Sequence, residues 1–411
     1  MSDAASQYDL IIVGAGMAGA TLALGLLDEC PQIRLALIDG AAPESDNHPS
    51  FDNRALALSA NTIEQLKAWS LWGALAADAA PIQHIQVSDR GHFGVTNLHA
   101  SEQSSSSQGQ PSFGHVLEVS SVGAVVTQRL QQQSQVDLFA PAKVSELKQQ
   151  QDQVQLQLDN GKQLTAKLLV VADGGRSHTR ELLGIGVRRS AYEQSAVIAN
   201  LEFEQPHNGW AYERFTDTGP MALLPMSGGR TSLVWCLGHE QAKQIAELDD
   251  QAFIKALQPV AGYRLGRLKK AGVRDVYPLQ LMQSEQLIHH RAVVLGNAAH
   301  ALHPIAGQGF NLAMRDIQTL VRVVADSWRE QTDIGLHGVL KHYRDGREAD
   351  INQVVNFTDG LCRLFSNNAR SMALLRSTGL AALQWLPSLQ APLTQLGMGL
   401  GRVEPLSGNT L

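Results

Sequence analysis

The stretch YDLIIVGAGMAGATLALGLL, residues 8–27, decides the fold of this chain. It begins with a short β-branched apolar run, and apolar residues then recur from residue 17 at helical density. A second apolar run, IRLALID at residues 33–39, completes a pattern of strand, helix and strand. The sequence therefore predicts a βαβ unit at the start of an α/β domain.

Three glycines and one aspartate in this unit have the spacing of a dinucleotide-binding fingerprint. Gly14 permits the tight turn after the strand, Gly16 lets the backbone approach a pyrophosphate, and Gly19 permits close packing of helix on strand. The helix N-terminus offers unpaired N–H groups to phosphates, and Asp39 at the end of the second strand can accept hydrogen bonds from a ribose. The pattern predicts nucleotide binding and leaves FAD and NAD both open.

The composition of the 411 residues is that of a folded protein with more than one domain. The 33 Lys and Arg against 39 Asp and Glu give a net charge of −6, which argues against a dedicated nucleic-acid-binding protein. Three cysteines without a CxxC pair indicate no disulfide framework and no cysteine-built metal site, and they favour a reducing, cytoplasmic location. The apolar run at residues 10–27 lacks a basic flank and contains glycines, so we expect neither a signal peptide nor a membrane span.

Downstream patterns predict a second sheet and a helical C-terminal region. Asn160-Gly161 marks a hairpin, and a buried strand at residues 168–171 then runs into an Asp-Gly turn. Strand patterns continue over residues 192–237 without a second fingerprint, and helical patterns dominate after residue 336. We predict an α/β fold in which a Rossmann-like nucleotide-binding domain is interleaved with an antiparallel-sheet domain.

The stretch GNAAHALHPIAGQGFN, residues 296–311, favours a flavin as the nucleotide. It follows a buried strand and contains a small-residue turn and a loop that opens another helix. Backbone N–H groups at such a helix N-terminus would stabilise the negative charge of a reduced isoalloxazine. His300 and His303 form an HxxH pair here, but no cysteine or carboxylate lies at ligand spacing, so we predict no metal site.

Together, GAGMAG at residues 14–19, ADGGRS at 172–177 and the stretch at 296–311 resemble the motifs of the aromatic hydroxylase class of flavoprotein monooxygenases. Asn297 stands where this class usually has Asp, so its contact with the flavin's ribityl-phosphate chain would be an uncharged hydrogen bond. The resemblance implies an FAD site formed by Gly14, Gly16, Gly19, Asp39, Arg54, Asp173, Gly174, Asn297, Pro304, Gly307, Gly309 and Asn311.

Longer stretches over residues 8–365 are similar to a narrower family, the ubiquinone-biosynthesis hydroxylases. They are VSDRGH at residues 87–92, AYERFT at 211–216, ALLPM at 222–226 and NLAMRD at 311–316. The nearest resemblance is to members that hydroxylate a 2-polyprenyl-6-methoxyphenol. It implies that NADPH visits transiently to reduce bound FAD, that O2 adds to the flavin C4a, and that the resulting hydroperoxide hydroxylates a polyprenyl phenol. Other enzymes of the pathway would be partners.

The resemblance also implies the domain boundaries: residues 1–70, 115–180 and 285–335 for the FAD-binding domain, 71–114 and 181–284 for the substrate domain, and 336–411 for a C-terminal helical region. We predict that Phe215, Leu223 and Pro225 line the substrate pocket, with burial in an ordinary core as the alternative. The flavin carries the chemistry, and the sequence assigns no residue as the base that would deprotonate the ring hydroxyl.

Three alternatives stay open: an FAD-dependent reductase of the same fold acting on a prenylated substrate, an NAD-dependent dehydrogenase, and a non-catalytic assembly subunit that retains FAD. Residues 355–411 carry four arginines against two acidic residues, and Leu361 is among the apolar residues beside them. We expect this region to contact the surface of the inner membrane. The alternative is that its helices pack on the flavin domain.

Overall fold

The computed structural model of the chain describes residues 6–42, 54–92, 94–102, 111–303 and 307–365. Pro304 and the tail from residue 366 onward lie outside the described residues, and the expectations that concern them stay predictions. The described α-helices are Met17–Glu29 (α1), Ala60–Ala68 (α2), Trp72–Leu75 (α3), Val119–Gln131 (α4), His178–Leu182 (α5), His239–Ala246 (α6), Asp250–Ala261 (α7), Gln308–Arg329 (α8) and His337–Phe365 (α9).

The described strands form three sheets. In chain order they are Ser6–Val13 (β1), Leu35–Ile38 (β2), Ala55–Ser59 (β3), Ala80–Ile82 (β4), His84–Asp89 (β5), Val95–His99 (β6), Gly114–Glu118 (β7), Val136–Phe139 (β8), Val144–Gln149 (β9), Val154–Leu158 (β10), Gln163–Val171 (β11), Val187–Phe203 (β12), Trp210–Thr216 (β13), Gly219–Pro225 (β14), Thr231–Gly238 (β15), Leu268–Ala271 (β16), Asp275–Ser284 (β17), Ile288–His289 (β18), Ala292–Val294 (β19) and His300–Ala301 (β20).

The first sheet has a parallel centre in the order β19-β11-β1-β2-β8. β10 and β9 add an antiparallel hairpin beside β11, and β18 pairs antiparallel with β19. β1 reads as a continuous apolar run because both faces of a parallel sheet are covered, and Leu10, Ile11 and Ile12 are fully buried. The carboxyl ends of these strands lie at one edge, where a nucleotide binds in folds of this type.

The second sheet has the order β20-β17-β12-β15-β14-β13-β5-β6, with β16 beside β12. Its pairs are antiparallel, as predicted, except that β13 and β5 run parallel. One face packs apolar residues such as Val197, Leu223 and Leu233 against Phe253 and Leu257 of α7. Because side chains alternate along a strand, the neighbouring residues project to the opposite face.

The remaining elements join the two sheets. β3, β7 and β4 form a small antiparallel sheet whose β3 contacts α8, and α9 packs against both α8 and β14. Within the part of the chain that the structure describes, none of the helices combines the length and the apolar character needed to cross a bilayer.

Candidate functional site

A cavity of about 1610 Å³ lies between the first sheet, at the carboxyl ends of its strands, and the face of the second sheet that α7 does not cover. Most of the residues predicted for the FAD site line it: Gly14, Gly16, Asp39, Arg54, Asp173, Gly174, Asn297, Gly307, Gly309 and Asn311. Residues separated by almost 300 positions in the chain therefore meet in one space.

The fingerprint turn at the first strand is closely packed. Gly14 has φ +105°, and a Cβ there would lie 2.4 Å from the carbonyl oxygen of Ala172. A Cβ on Gly19 would lie 1.9 Å from the carbonyl oxygen of Gly14, so Gly19 serves the contact between helix and turn rather than the cavity surface. Asp39 accepts hydrogen bonds from the N–H groups of Ala15 at 2.6 Å and Ala41 at 2.8 Å, which fix its carboxylate at the cavity edge.

Asp173 has one carboxylate oxygen bound to the protein and one without a partner. Its Oδ2 accepts a hydrogen bond from the N–H of Thr179 at 3.1 Å. Its Oδ1 is buried and has no hydrogen-bond partner among the described residues. A buried oxygen without a partner is costly, so this atom fits a ligand hydroxyl such as that of a ribityl chain.

The Arg180 side chain connects the Asp-Gly turn after β11 with the turn that carries Asn297, and both turns are predicted to contact the flavin half of FAD. Its Nη1 donates to the carbonyl oxygen of Ala298 at 2.7 Å, beside Asn297, and its Nη2 donates to that of Gly175 at 3.4 Å. The side chain is almost fully buried, and burial lowers the pKa of its guanidinium. The sequence places Arg180 close to the Asp-Gly motif but gives no sign of this contact, because its partner lies 118 positions away.

At the start of α8, Gly307 and Asn311 hold the helix against β3. Gly307 has φ +61°, which favours glycine, and a Cβ there would lie 2.9 Å from the Cβ of Ala57. The Asn311 side chain accepts from the Ser59 N–H at 2.8 Å and donates to the Ala57 carbonyl oxygen at 2.7 Å. Its polar atoms are therefore used by the protein. Gly309 has open space where a Cβ would be, so the cavity reaches the backbone of the first turn.

A buried ionic network fixes the turn that carries Asn297. Asp316 on α8 accepts hydrogen bonds from His300 Nε2 at 2.6 Å and from Arg347 Nε at 2.8 Å. Arg347 also contacts Asp350 at 2.6 Å, which binds Arg315 at the same distance. Burial alone would raise the pKa of Asp316, but His300 and Arg347 outweigh it and hold the pKa below its usual value. The Nε2 atom of His300 is thus occupied by its hydrogen bond to Asp316.

The second sheet supplies an apolar side to the cavity, and one predicted residue set needs correction. Phe215 lines the cavity, whereas Leu223 packs into the core on the other face of the sheet. Pro225 lies two residues further along β14 and therefore projects to the same face as Leu223. Ala222 and Leu224 line the cavity instead. Both faces of β14 are buried, one by α7 and one by the cavity, so hydrophobicity alone does not distinguish them.

Two residues that line the cavity have strongly shifted pKa values, and the sequence predicted a role in the site for neither. His303 is buried, its ring nitrogens have no partner among the described residues, and burial lowers its pKa to about 4, so the imidazole is neutral at pH 7. Its ring packs edge to face against the ring of Tyr192, with 5.1 Å between the ring centroids. Glu213 on β13 faces the same space, and burial raises its pKa to about 8. Shifted pKa values that cluster in a cavity indicate a candidate functional site.

Comparisons with known proteins agree with this geometry. A family model described as an FAD binding domain matches residues 7–358. The ubiquinone hydroxylase UbiL of Rhodospirillum rubrum is 33% identical over 397 residues, which cover 97% of this chain and 91% of that protein. The chain belongs to the FAD-dependent monooxygenases. The 3-demethoxyubiquinol 3-hydroxylase of Escherichia coli strain K12 is 29% identical to this monooxygenase over 95% of the chain and 98% of its own length.

Solved structures confirm the predicted fold class of the monooxygenase. The p-nitrophenol 4-monooxygenase PnpA from Pseudomonas putida superimposes with a TM-score of 0.76 at 17% identity, covering 97% of this chain and 99% of its own. HpxO of Klebsiella pneumoniae, solved as a complex with FAD, gives a TM-score of 0.72 at 16% identity over 94% and 99% of the two chains. The cofactor of the monooxygenase is FAD, which excludes the NAD-dependent dehydrogenase.

Proposed function

We propose that this monooxygenase hydroxylates the aromatic ring of a polyprenyl phenol in ubiquinone biosynthesis, with a 2-polyprenyl-6-methoxyphenol as the first substrate to test. The observation that supports the proposal best is the continuity of the cavity, which extends from the FAD-site residues to the apolar face of the second sheet. A phenol with an apolar chain could lie on this face with its ring towards the flavin end.

The residues proposed to bind FAD form two groups, one at each end of the cavity. Gly14, Gly16 and Asp39 would hold the pyrophosphate and the adenosine ribose at the fingerprint turn. At the other end, the free Oδ1 of Asp173 and the exposed side chain of Asn297 would bind the ribityl-phosphate chain. When bound, FAD supplies the redox chemistry by taking a hydride from NADPH and activating O2.

The protein's own part is to orient the substrate and to keep water away from the reacting ring. Phe215, Ala222 and Leu224 give the cavity an apolar surface on the sheet side, and Phe357 and Leu361 of α9 do so from the helix side. Exclusion of water strengthens the electrostatic interactions within the site and suppresses side reactions. No second dinucleotide fingerprint is present in the sequence, which supports an NADPH that visits transiently.

An FAD-dependent reductase of the same fold remains the second candidate, and one assay separates the two. The purified protein is given FAD, NADPH and a 2-prenyl-6-methoxyphenol with a short, soluble chain. The hydroxylase consumes one O2 for each hydroxylated product, which mass spectrometry identifies as a mass increase of one oxygen atom. NADPH oxidation with saturation of the prenyl double bond and no oxygen incorporation would overturn the proposal.

Access to a substrate dissolved in lipid requires a contact with the membrane surface or with a partner. We propose that the basic tail, residues 366–411, provides this contact and that the enzyme works beside other enzymes of the pathway. The charge of the tail has the sign that anionic lipid attracts. Leu361 is excluded from this contact surface, because it packs beside Phe215 and Cys362.

A further inference from the structure

Glu213 lies in an apolar row of residues that crosses the cavity face of the second sheet. Its register partners are Val87 on β5 and Ala222 on β14, and Val234 and Ile198 continue the row on β15 and β12. Paired residues on neighbouring strands project to the same face, and all five line the cavity. A carboxyl group therefore stands in the middle of an apolar surface.

The cation next to Glu213 in the sequence does not neutralise it. Arg214 projects to the opposite face of β13, where its Nη1 donates to the carbonyl oxygen of Ala261 at 3.5 Å. The neighbours of Glu213 on its own face, Ala211 and Phe215, are apolar and also line the cavity. The strand thus directs the carboxylate into the cavity without a counter-ion.

In the part of the chain that the structure describes, the Glu213 carboxyl group has neither a hydrogen bond nor an ion pair. Glu213 interacts electrostatically with two thiols, those of Cys236 on β15 and Cys362 on α9, and Asp359 of α9 also affects the second thiol. Burial raises the pKa of both thiols, and the negative charge of Glu213 raises it further. The pKa of Cys362 is raised to about 12. Neutral thiols leave the Glu213 carboxylate uncompensated, and burial alone raises its pKa to about 8.

An unpaired carboxyl group on an apolar surface lowers the stability of the fold, and a carboxamide or apolar residue would avoid most of that cost. Perturbed carboxyl groups that face a large cavity are candidates for proton transfer. The proposed substrate brings into this cavity one polar group with a transferable proton, its ring hydroxyl.

We propose that Glu213 binds the hydroxyl group of the phenol and accepts its proton, an inference that rests on the hydroxylase function proposed above. In this step the phenol O–H bond breaks, an O–H bond forms on the Glu213 carboxylate, and the electron pair stays on the ring oxygen. The resulting phenolate is richer in electrons at its ortho and para carbons, which favours electrophilic hydroxylation. When the hydroxylated ring becomes aromatic again, it releases its ring hydrogen to water as a proton, and Glu213 returns its proton to the ring oxygen.

The elevated basicity suits this task. A free phenol of the tyrosine type has a pKa of about 10, whereas an ordinary glutamate lies near 4.3 and is too weak a base to take much of its proton. With a pKa of about 8, the Glu213 carboxylate is closer to the phenol, and proton transfer is less unfavourable. Since the carboxylate form acts as the base, kcat/KM should rise with pH and level off above about 8.

The test compares Glu213→Gln and Glu213→Asp with the wild-type enzyme, all loaded with FAD. Glu202→Gln is the matched control, because Glu202 lies on β12 of the same sheet but is exposed and pairs with Lys270. FAD absorbance and the thermal unfolding midpoint verify that each variant folds. Three readouts follow: kcat/KM for the short-chain phenol against pH, the affinity for that phenol, and the ultraviolet difference spectrum that distinguishes bound phenolate from bound phenol.

We expect Glu213→Gln to retain FAD, to lose roughly 100-fold or more in hydroxylation, to lack the rise in kcat/KM towards pH 8 and to bind the phenol un-ionised. Glu213→Asp should recover part of the rate and the pH dependence, and Glu202→Gln should match the wild type. The proposal is overturned if Glu213→Gln keeps the wild-type pH profile or ionises the bound phenol as the wild type does. If the wild type itself forms no hydroxylated product, the function proposal fails, and the difference spectrum alone then decides the role of Glu213.

Discussion

The two carboxylate oxygens of Asp173 have different environments, and this asymmetry makes a sharp test of the FAD site. One oxygen caps the N–H of Thr179, and the other is buried without a partner beside the cavity. In Asp173→Asn, the amide oxygen can still accept the Thr179 N–H, but an NH2 group then replaces the acceptor that faces the cavity. The local fold should therefore survive while the cofactor contact is lost.

We expect Asp173→Asn to weaken FAD binding about tenfold to hundredfold, since a hydrogen bond to a charged group contributes about 1.5–3 kcal/mol. Fluorescence titration of the apoprotein with FAD measures the change. Asp78→Asn, at an exposed position, is the control and should bind like the wild type. Equal affinity in Asp173→Asn would remove Asp173 from the cofactor site.

At the scale of the elements, Asp316 couples α8, α9 and the turn before β20. It is fully buried and paired with His300 and Arg347. Asp316→Asn therefore leaves two buried guanidinium groups, those of Arg315 and Arg347, with only the carboxylate of Asp350 between them. Breaking a buried ion pair from one side costs about 3–5 kcal/mol. We expect a loss of that order in the free energy of unfolding, measured by urea denaturation at pH 7.

The pH dependence of this loss follows from the lowered pKa of Asp316. A depressed carboxyl pKa contributes stability above the pKa of the unfolded chain and loses it as the pH falls through the folded value. The difference in the free energy of unfolding between the wild type and Asp316→Asn should therefore become smaller below about pH 4. Asp326→Asn on the same helix, an exposed partner of Arg329, should cost less than about 1 kcal/mol. A difference that stays constant on acidification would show that the loss comes from packing rather than charge.

At the scale of the whole molecule, the cavity limits how far the chain can be shortened from its C-terminal side without loss of the site. Phe357 and Leu361 near the end of α9 line the cavity, so a chain that ends before them would lose part of its surface. The FAD-domain match ends at residue 358, and the described helix reaches Phe365. A chain that stops after Phe365 keeps every described element.

We expect this truncated protein to retain FAD and to oxidise NADPH with a short-chain soluble phenol at the wild-type rate. It should no longer sediment with anionic liposomes or with other enzymes of the pathway, because the basic tail is absent. The full chain with zwitterionic liposomes is the control for charge. Unchanged sedimentation of the truncated protein would move the membrane contact elsewhere.

The sequence by itself determined the features that depend on local spacing. The βαβ unit, the roles of Gly14 and Gly19 and the hairpin at Gly161 follow from backbone sterics and from periodicity over a few residues. Their signals are strong because a side chain at Gly14 or Gly19 would collide with a neighbouring backbone carbonyl group.

Only the tertiary structure decided which residues face the cavity. In β14 every position is apolar or small, since α7 covers one face and the cavity borders the other, so the pattern did not separate Leu223 from Ala222 and Leu224. The contact of Arg180 with Ala298 and the exposure of Glu213 to the cavity likewise depend on strands and turns that are distant in the chain. Sequence spacing reports local geometry, whereas the direction of a buried polar side chain is fixed by which elements pack on each face of its strand.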